Sequence, residues 1–426
     1  MQLSTRARAI VSGRTFKSLR QHRNYRLYFF GQFLSLIGTW LQSAAMAWLV
    51  LQLTHSAVAV GFLAFAQFTP YILLGLFGGA IIDRFEHRHT LQLTQIALAV
   101  LSGIMTILTL FNFVQLWEVY TIAACRGITL IINNPSRQAF IFQMVGRDEL
   151  PNAIALNSSV ANATRIIGPG VGGILIALFG VGICFAIDTV SYIAVIVALM
   201  MMRMSELYPI ERRERQSVLQ GTLEGLRYVW HQPRILVALG IFLLICTFSI
   251  NFNVLLPLVA SDTLGAGAEV YGLLTACFGA GALVGALISA SLGKATWPIL
   301  LASAAGFGLG EVLLAPETTI FGAVVILVLS GVAYTLYTSN TNTIVQLSAP
   351  GYLQGRVAGL YSYIFSSSNA IGALVAGGLA SLGGTQLAFF VAGSVALACA
   401  LVGAVLRRRG VTAELPHRES ALDAGR

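Results

Sequence analysis

The sequence has few charged residues for its length. Of its 426 residues, only 10% are Asp, Glu, Lys or Arg, whereas 56% are hydrophobic. A soluble globular domain carries about a quarter charged residues, so this composition excludes a soluble enzyme. The alternative is a chain whose solvent is largely lipid, in agreement with its mean hydropathy of +0.79.

Patterns that carry chemistry are also scarce. The five cysteines lie inside apolar runs, with no CxxC pair and no cluster with histidine, so they predict neither a disulfide framework nor a zinc site. The six histidines are scattered, and there is no Walker A pattern or catalytic triad. We therefore expect a protein that is not an enzyme, carries no cofactor or metal, and uses an ion gradient or its substrate's own gradient.

Long apolar runs are what the sequence has in abundance. A spanning helix needs roughly 20 apolar residues, and the strands of a membrane barrel are only about 10 residues long. Twelve helix-length runs lie at about 27–53, 57–82, 90–112, 117–143, 152–178, 182–202, 235–260, 269–292, 297–315, 319–347, 356–381 and 384–406. The prediction is an all-α polytopic protein of the plasma or inner membrane with twelve transmembrane helices.

Lysine and arginine fall on one side of these runs. Seven precede the first run, six lie in the long central connection, five lie in the tail, and the connections on the other side hold none. The positive-inside rule therefore predicts cytoplasmic termini. The net charge of +9 is explained by arginines that face the cytoplasm and anionic lipid, not nucleic acid.

The runs divide into two related groups of six. Residues 167–173 resemble residues 371–377 at a separation of 204, and Val60-Gly61 matches Tyr271-Gly272. The predicted organisation is a cytoplasmic segment (1–26), a six-helix half (27–202), a linker with an amphipathic surface helix (203–234), a second six-helix half (235–406) and a cytoplasmic tail (407–426). We expect the two halves to be related by an axis along the membrane normal, with the substrate path between them.

The loop after the second run carries a recognisable motif. It reads Gly79-Ala80-Ile81-Ile82-Asp83-Arg84-Phe85-Glu86-His87-Arg88. This resembles the G-x-x-x-D-R-x-G-R-R/K signature of the major facilitator superfamily, with Glu86 and His87 in place of the usual glycine and arginine. The resemblance implies a cytoplasmic gate formed by Asp83 and Arg84 together with Gly79 and Arg88. The alternative is that the loop charges only fix orientation.

A second motif lies in the fifth run. Gly168-Pro169-x-x-Gly172-Gly173 resembles the superfamily's antiporter motif, which implies export. Physically, the glycines let another helix approach closely and the proline breaks one backbone hydrogen bond. The motif can therefore serve packing, the sealing of the pathway, or both.

Other stretches narrow the resemblance to one branch. These are 23–27, 31–40, 133–138, 185–192 and 224–229, and they resemble the enterobactin-exporter-like and macrolide-efflux-like drug export branch. Nearly the whole chain is covered. The fold implied is two pseudo-symmetric six-helix halves.

Charges inside the predicted spans are candidate coupling residues. Arg126, Arg165 and Asp188 lie at overlapping depths, roughly 9–20 Å from the outer helix ends. Because intramembrane charges are costly and need partners, we expect one network in which protonation of Asp188 couples transport to protons. The alternative is a static ion pair that joins helices. Glu311, near the outer end of the ninth run, is predicted to be interfacial and to reach water.

Polar and aromatic residues on several spans predict the substrate cavity. Amides in spanning helices face protein or a water-filled path, although some serve only to join helices. The candidate lining residues are Gln32, Trp40, Asn133, Asn134, Asn251, Asn253, Tyr334, Tyr337, Asn340, Tyr361 and Asn369. Such an aromatic and amide surface suits a bulky amphipathic solute.

The first functional hypothesis is a secondary-active exporter. It would move a drug, macrolide or siderophore-class molecule outward against protons by alternating access, as a monomer surrounded by membrane lipid. The second is an uptake permease or an uncoupled facilitator of the same fold, and the exporter-like glycine motif argues against uptake. The third is a non-transporting membrane sensor, which a cavity filled with apolar side chains would favour.

Overall fold

The structure, a computed structural model, describes residues 16–75, 86–209, 218–351 and 353–411. Within these ranges the regular elements are all helical. Helices satisfy their own backbone hydrogen bonds, which is what a chain dissolved in lipid requires. The predicted all-α fold is confirmed.

Thirteen α-helices make up this part of the chain. They are α1 Lys17–Gln21, α2 Arg23–Thr54, α3 Ala57–Leu74, α4 His87–Leu110, α5 Leu116–Phe179, α6 Val181–Met200, α7 Val218–Trp230, α8 Pro233–Phe248, α9 Phe252–Leu258, α10 Ala268–Leu292, α11 Trp297–Leu314, α12 Ile320–Leu347 and α13 Gln354–Arg408. A π-helical turn, Val259–Thr263, extends α9. Ten of the described helices are long and apolar enough to cross a membrane, with α8, α9 and this turn counted as one.

Two of these ten helices are broken in the middle. In α5 the break is at Gly146 (φ 69°, ψ −175°), which separates α5a (116–145) from α5b (147–179). In α13 it is at Gly383 and Gly384, the latter with φ 71°, which separates α13a (354–382) from α13b (385–408). Glycine adopts positive φ without the steric cost of a Cβ. The ten helices thus give twelve crossing segments at the positions of the twelve predicted runs.

Successive segments run in opposite directions, so the bundle has two ends. We call the end that carries residues 16 and 411 the terminal end. The other end, with the connections at 55–56, 111–115, 180, 264–267, 315–319 and 383–384, is called the far end. Helix α2 packs on α5 and α6, α4 packs on α6, and α11 packs on both α12 and α13. Contacts between the two groups of six come chiefly from α3 against α13 and from α10 against α5.

The internal repeat is visible in backbone contacts. A Cβ built on Gly127 would lie 2.1 Å from the carbonyl oxygen of Gln67. A Cβ built on Gly331 would lie 2.2 Å from that of Phe278. The paired positions are separated by 204 and 211 residues, the separations of the sequence repeat. The same close helix crossing therefore occurs once in each group of six.

Helix α7 lies in the long central connection. Its Glu224 forms an ion pair with Arg356 of α13, and the Tyr228 hydroxyl donates to the carbonyl oxygen of Ser348 over 3.3 Å. Val229 is buried, whereas Leu223, Leu226 and Trp230 are exposed. One face of the helix therefore docks on the second group of six, and an apolar stripe faces outward.

Candidate functional site

Asp188 lies in α6 at the centre of the first group of six. Its side chain is 0% exposed, and Oδ2 accepts a hydrogen bond from the Ser102 hydroxyl of α4 over 3.0 Å. A Cβ built on Gly38 of α2 would lie 2.7 Å from Oδ1. Three helices thus meet at this carboxyl, and a glycine in α2 leaves the room it needs.

Arg126 of α5a supplies the opposite charge. Arg126 is 1% exposed, and its Nη2 donates to the carbonyl oxygen of Thr39 over 3.4 Å. The Tyr192 hydroxyl, one turn after Asp188, interacts with both Asp188 and Arg126 and lies 3.4 Å from Oγ1 of Thr39. The Tyr192 hydroxyl thus lies near both charges, and no ion pair joins Asp188 and Arg126 directly among the described residues.

Asp188 and Arg126 have polar atoms whose hydrogen-bonding capacity is not satisfied. Oδ1 of Asp188 and both Nε and Nη1 of Arg126 are buried without a hydrogen-bond partner among the described residues. Breaking a buried pair of charges by removing one partner costs about 3–5 kcal/mol, because the other charge is left uncompensated. A proton on Asp188 would likewise leave the charge of Arg126 uncompensated.

Arg165 has a different partner. Its guanidinium lies 5.5 Å from the ring centroid of Trp40, and its charge also acts on Tyr334 in the second group of six. The structure thus brings Asp188 and Arg126 together and places Arg165 against an aromatic side chain, not in the three-residue network expected from depth alone. Trp40 and Arg165 are only partly buried.

The glycine motif of α5b presents one face to α2. A Cβ built on Gly168 would lie 2.4 Å from Cβ of Trp40, and one on Gly172 would lie 3.2 Å from Cδ2 of Leu41. These two glycines therefore allow α2 to pack closely within its own group of six.

The other face of the motif meets α10 across the two groups. A Cβ built on Gly173 would lie 2.4 Å from the Ala268 carbonyl oxygen and 2.8 Å from Cα of Gly272. One built on Gly272 would lie 2.6 Å from the carbonyl oxygen of Pro169. Near this crossing Trp48 stacks on Tyr271, with centroids 6.0 Å apart and an interplanar angle of 11°. These contacts join the two groups of six near the far end.

A matching crossing joins α3 and α13a. A Cβ built on Gly61 would lie 2.5 Å from the carbonyl oxygen of Ala373, and one on Gly377 would lie 3.2 Å from Cα of Gly61. Ala373 and Gly377 are the repeat counterparts of Pro169 and Gly173. The two groups of six thus meet at two crossings where no side chain fits.

We expect Gly168→Ala to lower stability. The new Cβ would overlap with Trp40, whose own Cβ cannot rotate away, and overpacking of this kind costs about 1–3 kcal/mol. Gly240 of α8 is the matched control, since a Cβ there has nothing within 4 Å and alanine favours the helix by up to about 1 kcal/mol. The measurement is the melting temperature in detergent. Equal melting temperatures for the two variants would contradict the packing account.

The predicted gate is only partly described. Gly79, Asp83 and Arg84 lie outside the described residues. Arg88 is described, and its Nε and Nη2 donate to the carbonyl oxygen of Leu199 over 3.2 and 2.8 Å. Leu199 is in the last turn of α6, where a cation complements the helix dipole. Arg88 therefore caps a helix of its own group of six.

Several predicted cavity residues instead hold helices. Asn133 donates to the Thr94 hydroxyl over 2.9 Å. Asn251, Asn340 and Asn369 each donate to a carbonyl oxygen four residues earlier. Tyr337 is buried at the side of Phe242. These amides satisfy backbone or helix–helix hydrogen bonds, which is the structural role that polar residues in membrane helices commonly have.

Other predicted lining residues are more accessible. Asn134 is partly exposed and donates to the Tyr71 hydroxyl over 3.2 Å. Tyr361 is partly exposed and stacks on Phe242 at 4.3 Å. Asn253 is exposed. The two remaining candidates, Gln32 and Tyr334, are buried, and Oε1 of Gln32 has no partner among the described residues.

The sequence did not predict two residues of the Asp188 site, Ser102 and Tyr192, and it gave a wrong environment for Glu311. Ser102 and Tyr192 complete the Asp188 site; the only available signal was that Tyr192 lies four residues after Asp188, on the same helix face. Glu311 was predicted to reach water, and this prediction is wrong, because the residue is 0% exposed. It lies near the far end of α11, but neighbouring helices cover it.

The fold has close counterparts among solved structures. A mutant of the nucleoside transporter NupG superposes with a TM-score of 0.74 at 12% identity, over 90% of this chain and 100% of that chain. At this identity the similarity shows the fold alone, and it is that of a major facilitator transporter. The predicted two-half transporter fold is confirmed.

Sequence comparison then gives the family. The chain belongs to the transmembrane secretion effector family, whose profile matches residues 14–422. It is similar to macrolide efflux protein A of Streptococcus pyogenes, at 22% identity over 90% of this chain and 97% of the relative. It is also similar to the enterobactin exporter EntS of Salmonella typhimurium, at 26% identity over 85% and 87%. The protein is thus a membrane transporter and not an enzyme, as predicted.

Proposed function

We propose that the protein is a proton-coupled exporter of a bulky amphipathic small molecule, of the drug, macrolide or siderophore class. It lies in the inner membrane with both termini in the cytoplasm, so the terminal end faces the cytoplasm. Its two working halves are 27–202 and 235–406, joined by the linker 203–234. The similarity to a macrolide efflux protein and to an enterobactin exporter supports the direction of transport and the substrate class.

The observation that carries the proposal is the buried Asp188–Arg126 unit. The carboxyl of Asp188 packs closely against Gly38 of α2. Two residues further along α2, Trp40 packs against Gly168 of α5b. Five residues beyond Gly168, Gly173 forms the crossing that closes the far end. A proton on Asp188 can therefore change the packing of α2 and, through α5b, the contact between the halves. These contacts form a contiguous path of packed side chains and backbone from Asp188 to the contact between the halves, along which a change of packing can be transmitted.

The substrate region follows from the same geometry. Arg165 of α5b lies over the ring of Trp40 in α2, and its charge acts on Tyr334 in α12. An aromatic surface with one cation beside it suits a solute that has an apolar body and a polar or anionic group.

The test is transport into inverted membrane vesicles. A labelled panel of a macrolide, a catecholate siderophore and a lipophilic cation is offered with and without an imposed proton gradient. We expect accumulation of at least one compound that collapses when a protonophore removes the gradient. Saturable movement that ignores the gradient would instead identify a facilitator, and accumulation only in right-side-out vesicles would identify an uptake permease.

A further inference from the structure

Glu311 is a second buried carboxyl, and the proposed function leaves it unused. It lies in α11, three residues before the helix ends at Leu314, and is 0% exposed. Both carboxyl oxygens are buried without a hydrogen-bond partner among the described residues. Buried carboxylates are normally paired or hydrogen-bonded, so this arrangement requires an explanation.

The neighbouring helices enclose the carboxyl tightly. The side chain of Ser249, between α8 and α9, lies within reach of Glu311, and its hydroxyl donates to the Ala392 carbonyl oxygen of α13b over 3.0 Å. A Cβ built on Gly310 would lie 2.2 Å from Oγ of Ser330 in α12. A Cβ built on Gly308 would lie 2.8 Å from the carbonyl oxygen of Gly393. The carboxyl is thus enclosed by neighbouring helices and is not exposed to solvent.

No cation compensates Glu311 in the described part of the chain. Among the titratable side chains in the helices around α11, Cys246, Tyr334, Tyr337 and Cys399 are buried and Tyr361 is partly exposed. The arginines of these helices, Arg234, Arg356, Arg407 and Arg408, lie at their terminal ends. A carboxylate here would be an isolated buried charge, which is far more costly than a neutral acid. In this conformation Glu311 therefore carries a proton.

The site is the counterpart of the Asp188 site. Ser249 follows Gly38 by 211 residues, the separation of Gly61 and Gly272. Ser330 follows Arg126 by 204 residues, the separation of Gly127 and Gly331. In the second half a serine thus replaces the arginine. The first half balances its carboxylate with a cation, whereas the second half can balance its own only with a proton.

Glu311 is connected to the contact between the halves through a helix break. Helix α8 ends at Phe248 and α9 begins at Phe252, so Ser249 lies in the interruption. A Cβ built on Gly372 of α13a would lie 2.3 Å from the carbonyl oxygen of Thr247, at the same break. The next residue, Ala373, touches Gly61 of the other half. A change of packing around Glu311 can reach this crossing through three adjacent contacts.

We propose that Glu311 is a second proton-binding site and that the far end closes only when it is protonated. While the halves are apart at the far end, the carboxylate takes one proton from the water there, forming an O–H bond. Reopening lets the same bond break and the proton return to water. This proposal rests on the proposed alternating access, but it concerns the conformational equilibrium and not export itself.

The experiment measures far-end closure against pH. Spin labels at the exposed positions 112 and 318, in a background without the native cysteines, report the distance between the halves in lipid nanodiscs. For the wild-type sequence we expect the ratio of closed to open molecules to fall as pH rises, about tenfold per pH unit for each proton that closure takes up. In Glu311→Gln, which keeps the neutral shape, the slope should fall by one proton. Glu317→Gln, on the exposed connection after α11, is the matched control and should keep the full slope.

A second measurement distinguishes loss of the proton site from misfolding of the variant. Infrared difference spectra of the wild-type protein should show a protonated carboxyl band in the closed state that Glu311→Gln lacks. An unchanged pH slope in Glu311→Gln, or no such band, would overturn the proposal. Loss of export from a protein that keeps the pH-dependent closure would instead overturn the proposed export function and leave this proton site in place.

Discussion

Asp188→Asn is expected to reduce gradient-driven export to the level of vesicles that lack the protein. The amide has a similar shape but cannot exchange a proton, and it leaves Arg126 buried without an opposite charge. Removal of one partner of a buried pair costs about 3–5 kcal/mol, so this variant is also expected to melt at a lower temperature. The measurement is accumulation in inverted vesicles, with the amount of folded protein determined in parallel.

The double variant Asp188→Asn/Arg126→Gln separates coupling from stability. Both charges are removed together, so no buried charge remains uncompensated and the melting temperature should return toward that of the wild type. Gradient-driven export should stay absent, whereas downhill movement of substrate should persist. If the double variant regained full gradient-driven export, Asp188 and Arg126 would be a static pair that only joins helices α5a and α6.

Gly173→Ala is expected to block closure of the far end. The added Cβ would lie 2.4 Å from a backbone oxygen of α10, and backbone cannot rotate away as a side chain can. An overpacking cost of about 1–3 kcal/mol applies to the closed conformation alone, which shifts the equilibrium about 5–150-fold toward the open one. Both the spin-label distance across the far end and the transport rate should report this shift.

Two further variants sharpen this prediction. Gly377→Ala places a Cβ 2.7 Å from the carbonyl oxygen of Ala57 at the symmetric crossing and should have the same effect. Gly378→Ala, one residue further along, has nothing within 4 Å and should transport normally. The contrast with Gly168→Ala is also informative, because that glycine packs within one half and should affect stability in every conformation. A normal transport rate in Gly173→Ala would contradict the closing role of the crossing.

The sequence predicted those features that depend on local pattern. Apolar run length and arginine placement predict the spans, because lipid imposes a fixed helix length and a charge asymmetry. The repeat at 204 residues correctly anticipated that 167–173 and 371–377 have equivalent places, and both proved to lie at crossings between the halves. The glycine motif packs in two directions, since Gly168 faces its own half and Gly173 faces the other, and its sealing role stays a prediction.

Features that depend on distant partners could not be predicted in this way. Helical depth placed Arg165 beside Asp188, but depth carries no information on rotation about the helix axis, and Arg165 turns toward Trp40. Asn133 has the polarity of a cavity residue and yet bonds to Thr94, 39 residues away. Glu311 lies close enough to a helix end to suggest contact with water, and only the tertiary packing of α13b over it shows otherwise.

The most direct test of the central claim is proton movement driven by substrate. Purified protein is placed in liposomes with a pH-sensitive dye inside, and a gradient of a transported compound is imposed without any proton gradient. We expect wild-type protein to move protons in the direction opposite to the compound, and we expect Asp188→Asn/Arg126→Gln, although folded, to move the compound without protons. Substrate movement with no proton movement in the wild type, or equal proton movement by the double variant, would contradict it.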